Sequence, residues 1–285
     1  MADGRGPPGS RSAGALRPLA VSALARELLG AGVPRVQAVH ASGVSLAVPG
    51  RPEVCYAGGP GPGRGLLPLH VVLRSRDLAW LLQRLDGPGQ ALRLDLAGVR
   101  VFGLQLAPGA AAPQWRAALE PVAAWLRAQP GPCGLGSPVA AALEPGARVH
   151  RTLAGVAAGA PDDDAALRAL IGRGAGSTPA GDDILVGALA HALATTGAAA
   201  PLVQALERLA PEFDRLTTAA GATYLRAALG GSFGSDLLAF VRSLTGPSPA
   251  QALRRAMRVA AHGATSGIDS LVGFVAAHEH ALAAS

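Results

Sequence analysis

The sequence predicts an α+β fold, and three observations carry that prediction. Between Val36 and Leu106 the chain runs in short, valine- and leucine-rich, often alternating stretches bounded by Gly or Pro, the pattern of strands and hairpins. After Pro108 these stretches stop. From Asp162 to the end, apolar segments of helical length follow one another. The organisation expected is a disordered Gly/Pro/Ser/Arg-rich tail at 1–14, an N-terminal helix and β-rich region at 15–110, and a helical region at 111–285, the last two able to share one core.

Taken in order, Leu16 to Leu29 reads as a first helix after Pro18, ending at Gly30 and Gly32. The strand-like stretches are VQAVHASGVSLAVPG from Val36, EVCYAG from Glu53, LLPLHVVLRS from Leu66 and ALRLDLAGVRVFGLQLA from Ala91. GGPGPGRG, Gly58 to Gly65, reads as a hairpin loop, because neither a helix start nor a GK[ST] follows it. Ser75 to Leu85 reads as a helix with Ser75 as N-cap. Pro113 to Ala128 is helical, with Trp115 and Trp125 in the core, and Gly131 to Pro145 is broken by Gly and Pro. The remaining helices are expected at 164–171, 179–195, 202–209, 213–229, 235–244, 250–261 and 266–282.

Composition removes several classes of function. The net charge is +6, but half of it sits in the first 35 residues, where Arg5, Arg11, Arg17, Arg26 and Arg35 face only Asp3 and Glu27. The other arginines are scattered and aromatic residues are few, so no nucleic-acid partner is expected. Lysine is absent, which removes Schiff-base and Walker-type lysine mechanisms. Cys55 and Cys133 are too few and too far apart for a disulfide framework or a zinc site. Arg17 and Pro18 interrupt any signal-peptide core, no stretch reads as a membrane span, and the expected location is the cytoplasm. There is no Gly-x-Ser-x-Gly elbow and no Rossmann fingerprint after a strand.

The chemistry-bearing feature is a repeated segment. GDDILVG at Gly181 to Gly187 returns as GIDSLVG at Gly267 to Gly273, and a threonine precedes each copy, Thr178 and Thr265. In the first copy Gly172, Gly174 and Gly176 form a permissive turn, and Thr178 followed by Pro179 reads as N-cap and first helical position. The first turns of such a helix expose N–H groups that can hold a carboxylate or phosphate, or be neutralised by Asp182 and Asp183 themselves. Asp183 and Gly187 share a helix face, as do Asp269 and Gly273. If the helices cross at the two glycines, Asp183 and Asp269 come to the rim of one pocket. Two such carboxylates can coordinate Mg²⁺, act as acid and base, or hold a ligand amide.

The plainer alternative is ordinary helix-start chemistry plus tight glycine packing, but the duplication, the tandem aspartates and the glycine-rich entrance favour a site. Arg173 within the turn is a candidate partner for an anionic substrate. His262 suits a helix C-terminus, His191 a core position, and Asp162 to Asp164 a solvated helix start. His278, Glu279 and His280 lack metal-ligand helical spacing.

The pattern GxGxTPxGDDxLxG, followed 80 to 90 residues later by a GxTSGxDxLxG-like segment, resembles the AllH family, associated with a subunit of oxamate carbamoyltransferase. The resemblance runs from about Val36 to Leu282 and is specific at the two motifs. The chain departs from the common pattern at Ser177, Ala180 and Ala264, where leucine, serine and histidine are frequent. It keeps the glycines, Thr178, Pro179, Asp182, Asp183, Ser266, Gly267 and Asp269.

The resemblance implies carbamoyl transfer between carbamoyl phosphate and oxamate, or its phosphorolytic reverse, in ureide catabolism with companion subunits. The site expected on this basis has Asp182, Asp183 and Asp269 as catalytic residues. Arg173, Gly174, Gly176, Thr178, Gly181, Thr265, Ser266 and Gly267 would bind a small anionic metabolite. No cofactor is required, although Mg²⁺ is compatible with the carboxylates. Two other readings are a non-catalytic anion-binding subunit and a Mg²⁺-dependent hydrolase of the helical ADP-ribosyl-hydrolase type.

Overall fold

The computed structural model describes residues 15–59, 65–107, 114–160, 162–246 and 248–283. The expected disordered tail at 1–14 lies outside them. The architecture is α+β, with a mixed six-stranded sheet drawn from the N-terminal part and a mainly helical remainder.

The strands are β1 Ala20–Ser22, β2 Arg35–His40, β3 Gly43–Ala47, β4 Val54–Gly58, β5 His70–Val72 and β6 Arg100–Phe102, in the spatial order β2-β3-β4-β5-β1-β6. β2, β3 and β4 form an antiparallel meander. β4 and β5 run parallel, β5 and β1 antiparallel, and β1 and β6 parallel. Helix α1, Ala23–Gly30, follows β1 and helix α2, Ser75–Leu82, follows β5. Val21, Leu28, Val44, Leu46, Ala57, Val71, Leu73 and Leu81 are buried in one apolar cluster between these elements.

The helical part comprises α3 Gln114–Arg127, α4 Val139–Ala142, α5 Arg148–Ala157, α6 Asp163–Arg168, α7 Ala180–Thr195, α8 Pro201–Leu209, α9 Phe213–Leu216, α10 Ala219–Leu229, α11 Ser235–Ser243, α12 Pro249–Ala260 and α13 Ser266–Ala283. The two motif helices, α7 and α13, are its centre. Both are buried almost all round, as their continuous Ala, Leu, Val and Gly runs require. They cross where the repeated glycines meet: a Cβ on Gly187 would lie 1.8 Å from the Ser270 carbonyl oxygen, and one on Gly273 would lie 1.9 Å from that of Ile184. Only glycine permits that approach, which fulfils the condition on which the two aspartates were expected to become neighbours.

Several expectations are corrected. The stretch from Leu16 is not helical until Ala23, because Ala20 and Val21 are buried by pairing with Val72, Val71, Arg100 and Val101. Ser22 then caps α1, its Oγ accepting from the Ala25 N–H at 3.1 Å. Arg74, not Ser75, occupies the cap position of α2, without a side-chain bond. In α7 Pro179 is the cap residue, with ψ of 145°, so Thr178 lies outside the helix and its hydroxyl is free for other work. The expected helix over 213–229 is broken at Thr217, which is extended at φ −143°.

Most of 91–107 is irregular, with a regular strand only where β6 meets β1. Gly58 to Gly65 does not close a hairpin: residues 60–64 lie outside the described residues, and parallel β4 and β5 need a crossover. Helix α5 went unassigned because its charged and small residues mask the periodic set Val149, Thr152, Leu153 and Val156 that faces the core.

The sheet and the helices are bonded directly. The Val54 N–H donates to Thr223 Oγ1 of α10 at 3.0 Å, the Leu66 N–H to Ser235 Oγ of α11 at 2.8 Å, and Ala227 of α10 is buried in the sheet-side cluster.

Candidate active site

The glycine-rich turn before α7 is shaped by Asp182. Gly172 has a φ of +73° and no room for a Cβ, which would sit 2.1 Å from the Leu216 carbonyl oxygen. Its N–H donates to Asp182 Oδ1 at 2.7 Å, and the Thr217 hydroxyl donates to Oδ2. Asp182 is thereby 1 % exposed with both oxygens occupied. Burial raises its pKa, and the bonds from Thr217 and Gly172 oppose that rise. Its carboxylate ties the turn to the break between α9 and α10, where Thr217 is extended and Thr218 caps α10.

Asp183 faces the other way. The residue is 9 % exposed, its buried Oδ2 has no hydrogen-bond partner, and the hydroxyls of Ser266 and Thr178 stand beside the carboxyl, 3.1 Å from each other. Burial pushes its pKa well above the usual carboxylate range; the two hydroxyls pull it down, and the charges of Asp269 and Asp182 push it further up. Asp269, the equivalent residue of the second motif, is fully buried. Its Oδ1 accepts from the Gly134 N–H at 2.9 Å, Thr265 supports it, and Oδ2 has no partner. Burial raises the Asp269 pKa as well, opposed by Gly134 and Thr265. Gly134 covers this carboxyl closely, since a Cβ there would lie 2.6 Å from Oδ2.

Asp183 opens onto a cleft of two joined lobes between the sheet and the helices. Gly65, Leu67, Thr178, Tyr224, His262 and Ser266 line both. The inner lobe, about 100 Å³, is enclosed by Asp183, the first turns of α11 and α13, and Phe233. The outer lobe, about 460 Å³, lies against β3, β4 and β5 and is lined by His40, Ser42, Ser45, Tyr56 and His70. The N-termini of α11 and α13 bring partial positive charge to the inner lobe, which suits an anion despite the nearby carboxyls of Asp183 and Asp236.

Of the residues expected at the site, Thr178, Asp183, Ser266 and Gly267 line the cleft. Asp182, Asp269 and Thr265 lie behind it in the supporting structure. Gly181 and Gly267 serve close packing, since a Cβ on either would lie 1.8 Å from a carbonyl oxygen, of Leu170 and Val259 respectively. Gly174 packs against Ala180, and Gly176 is exposed on the same turn. Arg173 is exposed; its carbonyl accepts from the Gly181 N–H at 2.8 Å, and it lines neither lobe.

His262, read from sequence as a helix-end residue, lines both lobes. Tyr224, Tyr56, His40 and His70 were not singled out, because each is an isolated residue in its own segment and only the fold assembles them. Among the described residues no group of three or more His, Cys, Asp and Glu is placed to hold a metal ion. No helix among the described residues is long and apolar enough to cross a membrane.

The family model described as oxamate carbamoyltransferase subunit AllH matches residues 170–278, in agreement with the resemblance seen in the motifs. The matched span holds the glycine-rich turn, both repeated motifs, and the first turns of α11 and α13 that wall the inner lobe. No curated protein and no solved structure gives a significant match to the chain.

Proposed function

We propose that this chain is a subunit of a carbamoyltransferase that joins carbamoyl phosphate to the amide nitrogen of oxamate or a close analogue, working with companion subunits. The observation that carries this reading is Asp183: a buried carboxyl with an unpartnered oxygen, lining a cleft between two helix N-termini, inside the segment that matches the AllH family. Both substrates are anions, and the N–H groups at the starts of α11 and α13 favour such charge.

An amide nitrogen is a weak nucleophile, so its attack needs a base. As the nitrogen forms its bond to the carbamoyl carbon, the bond from that carbon to the phosphate oxygen breaks and phosphate leaves with the electron pair. The proton lost by nitrogen passes to Asp183, whose raised pKa makes it a stronger base than a solvated carboxylate. Ser266 and Thr178 orient the carboxyl, and Asp182 and Asp269 hold the two helix starts that carry these groups. Arg173 is exposed on the turn and lines neither lobe, so it has no role in the step at the cleft.

The test is formation of oxalurate and phosphate from oxamate and carbamoyl phosphate by the chain alone and by the chain assembled with its companion subunits. Asp183→Asn, with fold and assembly verified, is expected to lower turnover about 100-fold or more, the contribution of a positioned base. Undiminished turnover in the assembled variant would remove Asp183 from the chemistry. Anion binding without turnover in any assembly would leave the non-catalytic reading in its place.

A further inference from the structure

The chain holds two tyrosines, and both line the outer lobe. Their hydroxyls differ. That of Tyr56 is occupied, donating to the Ser42 carbonyl at 2.7 Å with the Ser42 hydroxyl at 2.9 Å. Tyr224 is half-buried, its hydroxyl makes no hydrogen bond among the described residues, and that hydroxyl is not one of the sealed polar atoms such as His70 Nε2. Tyr224 also lines the inner lobe, which Tyr56 does not, so it stands where the two lobes join. The helix that carries it is fixed on both sides. Gly221, one turn earlier on the same face of α10, is pressed so closely on Asp182 that a Cβ there would clash with the carboxyl. On the other side the adjacent Thr223 accepts from the Val54 N–H of β4 at 3.0 Å. Because Asp183 follows Asp182 directly, the same clamp sets α10 beside Asp183, whose charge acts on the Tyr224 phenol.

We infer that Tyr224 is a catalytic residue of this cleft: its hydroxyl donates to the carbonyl oxygen of a small primary amide whose nitrogen lies against Asp183. The inference rests on the Asp183 cleft being the acceptor site. An amide carries a donor N–H and an acceptor oxygen on one planar group, so a carboxyl on α7 and a phenol on α10 read the two ends together. As the nitrogen passes its proton to Asp183, negative charge spreads onto the amide oxygen, and the bond from Tyr224 strengthens there. That bond therefore favours the transition state over the bound ground state. The phenol keeps its own proton throughout, since burial and, after it, the charge of Asp183 push its pKa up.

The experiment is an NMR titration in phosphate buffer of the full chain labelled with ¹³Cζ-tyrosine, alone and assembled with unlabelled companion subunits. The probes are oxamate and pyruvate, which has the same charge and shape but a methyl group in place of the amide nitrogen. With two tyrosines in the chain, the two resonances are separated by Tyr224→Phe. The expected result is a saturable shift of Tyr224 with oxamate while Tyr56, bonded to Ser42, stays in place. Pyruvate should bind about tenfold more weakly, the ratio that one hydrogen bond confers. Tyr224→Phe should lower oxamate affinity about tenfold, lower kcat by more than it raises KM, and keep the native urea midpoint, because no bond within the described residues is lost. The inference is overturned by the lack of a saturable Tyr224 shift in both forms, by equal affinity for pyruvate, or by undiminished affinity in Tyr224→Phe. A fall in affinity matched by a fall in the urea midpoint would mark the hydroxyl as structural and overturn it as well. A saturable Tyr224 response without carbamoyl transfer in any assembly would retain the amide contact and retire the reaction. Transfer with Tyr224 silent would do the reverse.

Discussion

Substituting the glycine at the helix crossing pits two effects of opposite sign against each other. Within α7, Gly187→Ala should gain up to about 1 kcal/mol from helix propensity. Against this, the new methyl carbon would lie 1.8 Å from the Ser270 carbonyl oxygen and 2.7 Å from its carbon. Contact distance is near 3.5 Å, so α7 and α13 must part locally by about 1.5 Å. The obstacle is backbone held in a helix, not a side chain that can turn aside. Overpacking of this kind costs about 1–3 kcal/mol, with further loss where the parted faces no longer touch, so the clash wins and the net destabilisation should be about 2 kcal/mol.

Gly155 in α5 provides the control, because a Cβ there meets nothing nearer than Ala160 Cβ at 3.8 Å, an ordinary contact. Gly155→Ala should therefore stabilise, by up to about 1 kcal/mol. Urea unfolding of both variants is the assay, and Gly187→Ala should also lower Tm by about 4–8 °C. A Gly187→Ala protein within about 0.5 kcal/mol of native, when ordinary surface changes stay inside that range, would refute the argument that the crossing depends on glycine.

Three further outcomes are expected. Asp183 has a folded pKa raised by burial, so its contribution to stability is fully present below the ordinary carboxylate range and is lost as pH rises toward the folded value; Asp183→Asn should thus gain Tm over native more at pH 8 than at pH 4, and an equal difference at both would contradict this. His70 and His191, held down to about 4 and about 3 by burial, act in the opposite sense: their contribution is present above the ordinary histidine value and is lost as pH falls through the acid range. His191→Phe, which keeps an aromatic ring against Trp115 and Phe274, should flatten the decline of the urea midpoint between pH 6.5 and 4, and an unchanged decline would contradict this. Cys55, buried with its thiol pushed up to about 12, should resist thiol reagents at pH 8 in the native protein and react on unfolding, and rapid native labelling would contradict its placement.

What could be read from the sequence divides along physical lines. The α+β class, the helical C-terminal half and the suitability of Gly187 and Gly273 for a close helix crossing were legible, because periodicity and glycine spacing are local signals, whereas that α7 and α13 are in fact neighbours needed the fold. The separate fates of the paired aspartates were not. Asp182 turns to Gly172 and Thr217, Asp183 to the cleft and Asp269 to Gly134, and each direction depends on a segment remote in the chain. The break at Thr217 was hidden for the same reason, since the extended Thr217 bonds to Asp182, 35 positions earlier in the chain. The sheet wall with Tyr56 and His70 left no motif, because alternating valines and leucines specify a strand without saying what faces it.

The bonds that join the sheet to the helices also fix when the cleft can exist. Val54 and Thr223 are 169 positions apart, as are Leu66 and Ser235, so the walls cannot close until most of the chain is available. Such distant closures favour slow assembly. During synthesis from the N-terminus the sheet residues emerge first and must wait for α10 and α11. A fragment limited to residues 170–278 would carry both repeated motifs yet lack the strand wall with Tyr56 and His70. A ligand that spans both lobes would therefore select chains whose folding is complete, and its protection against proteolysis would report the final step of assembly rather than the stability of the helical core alone.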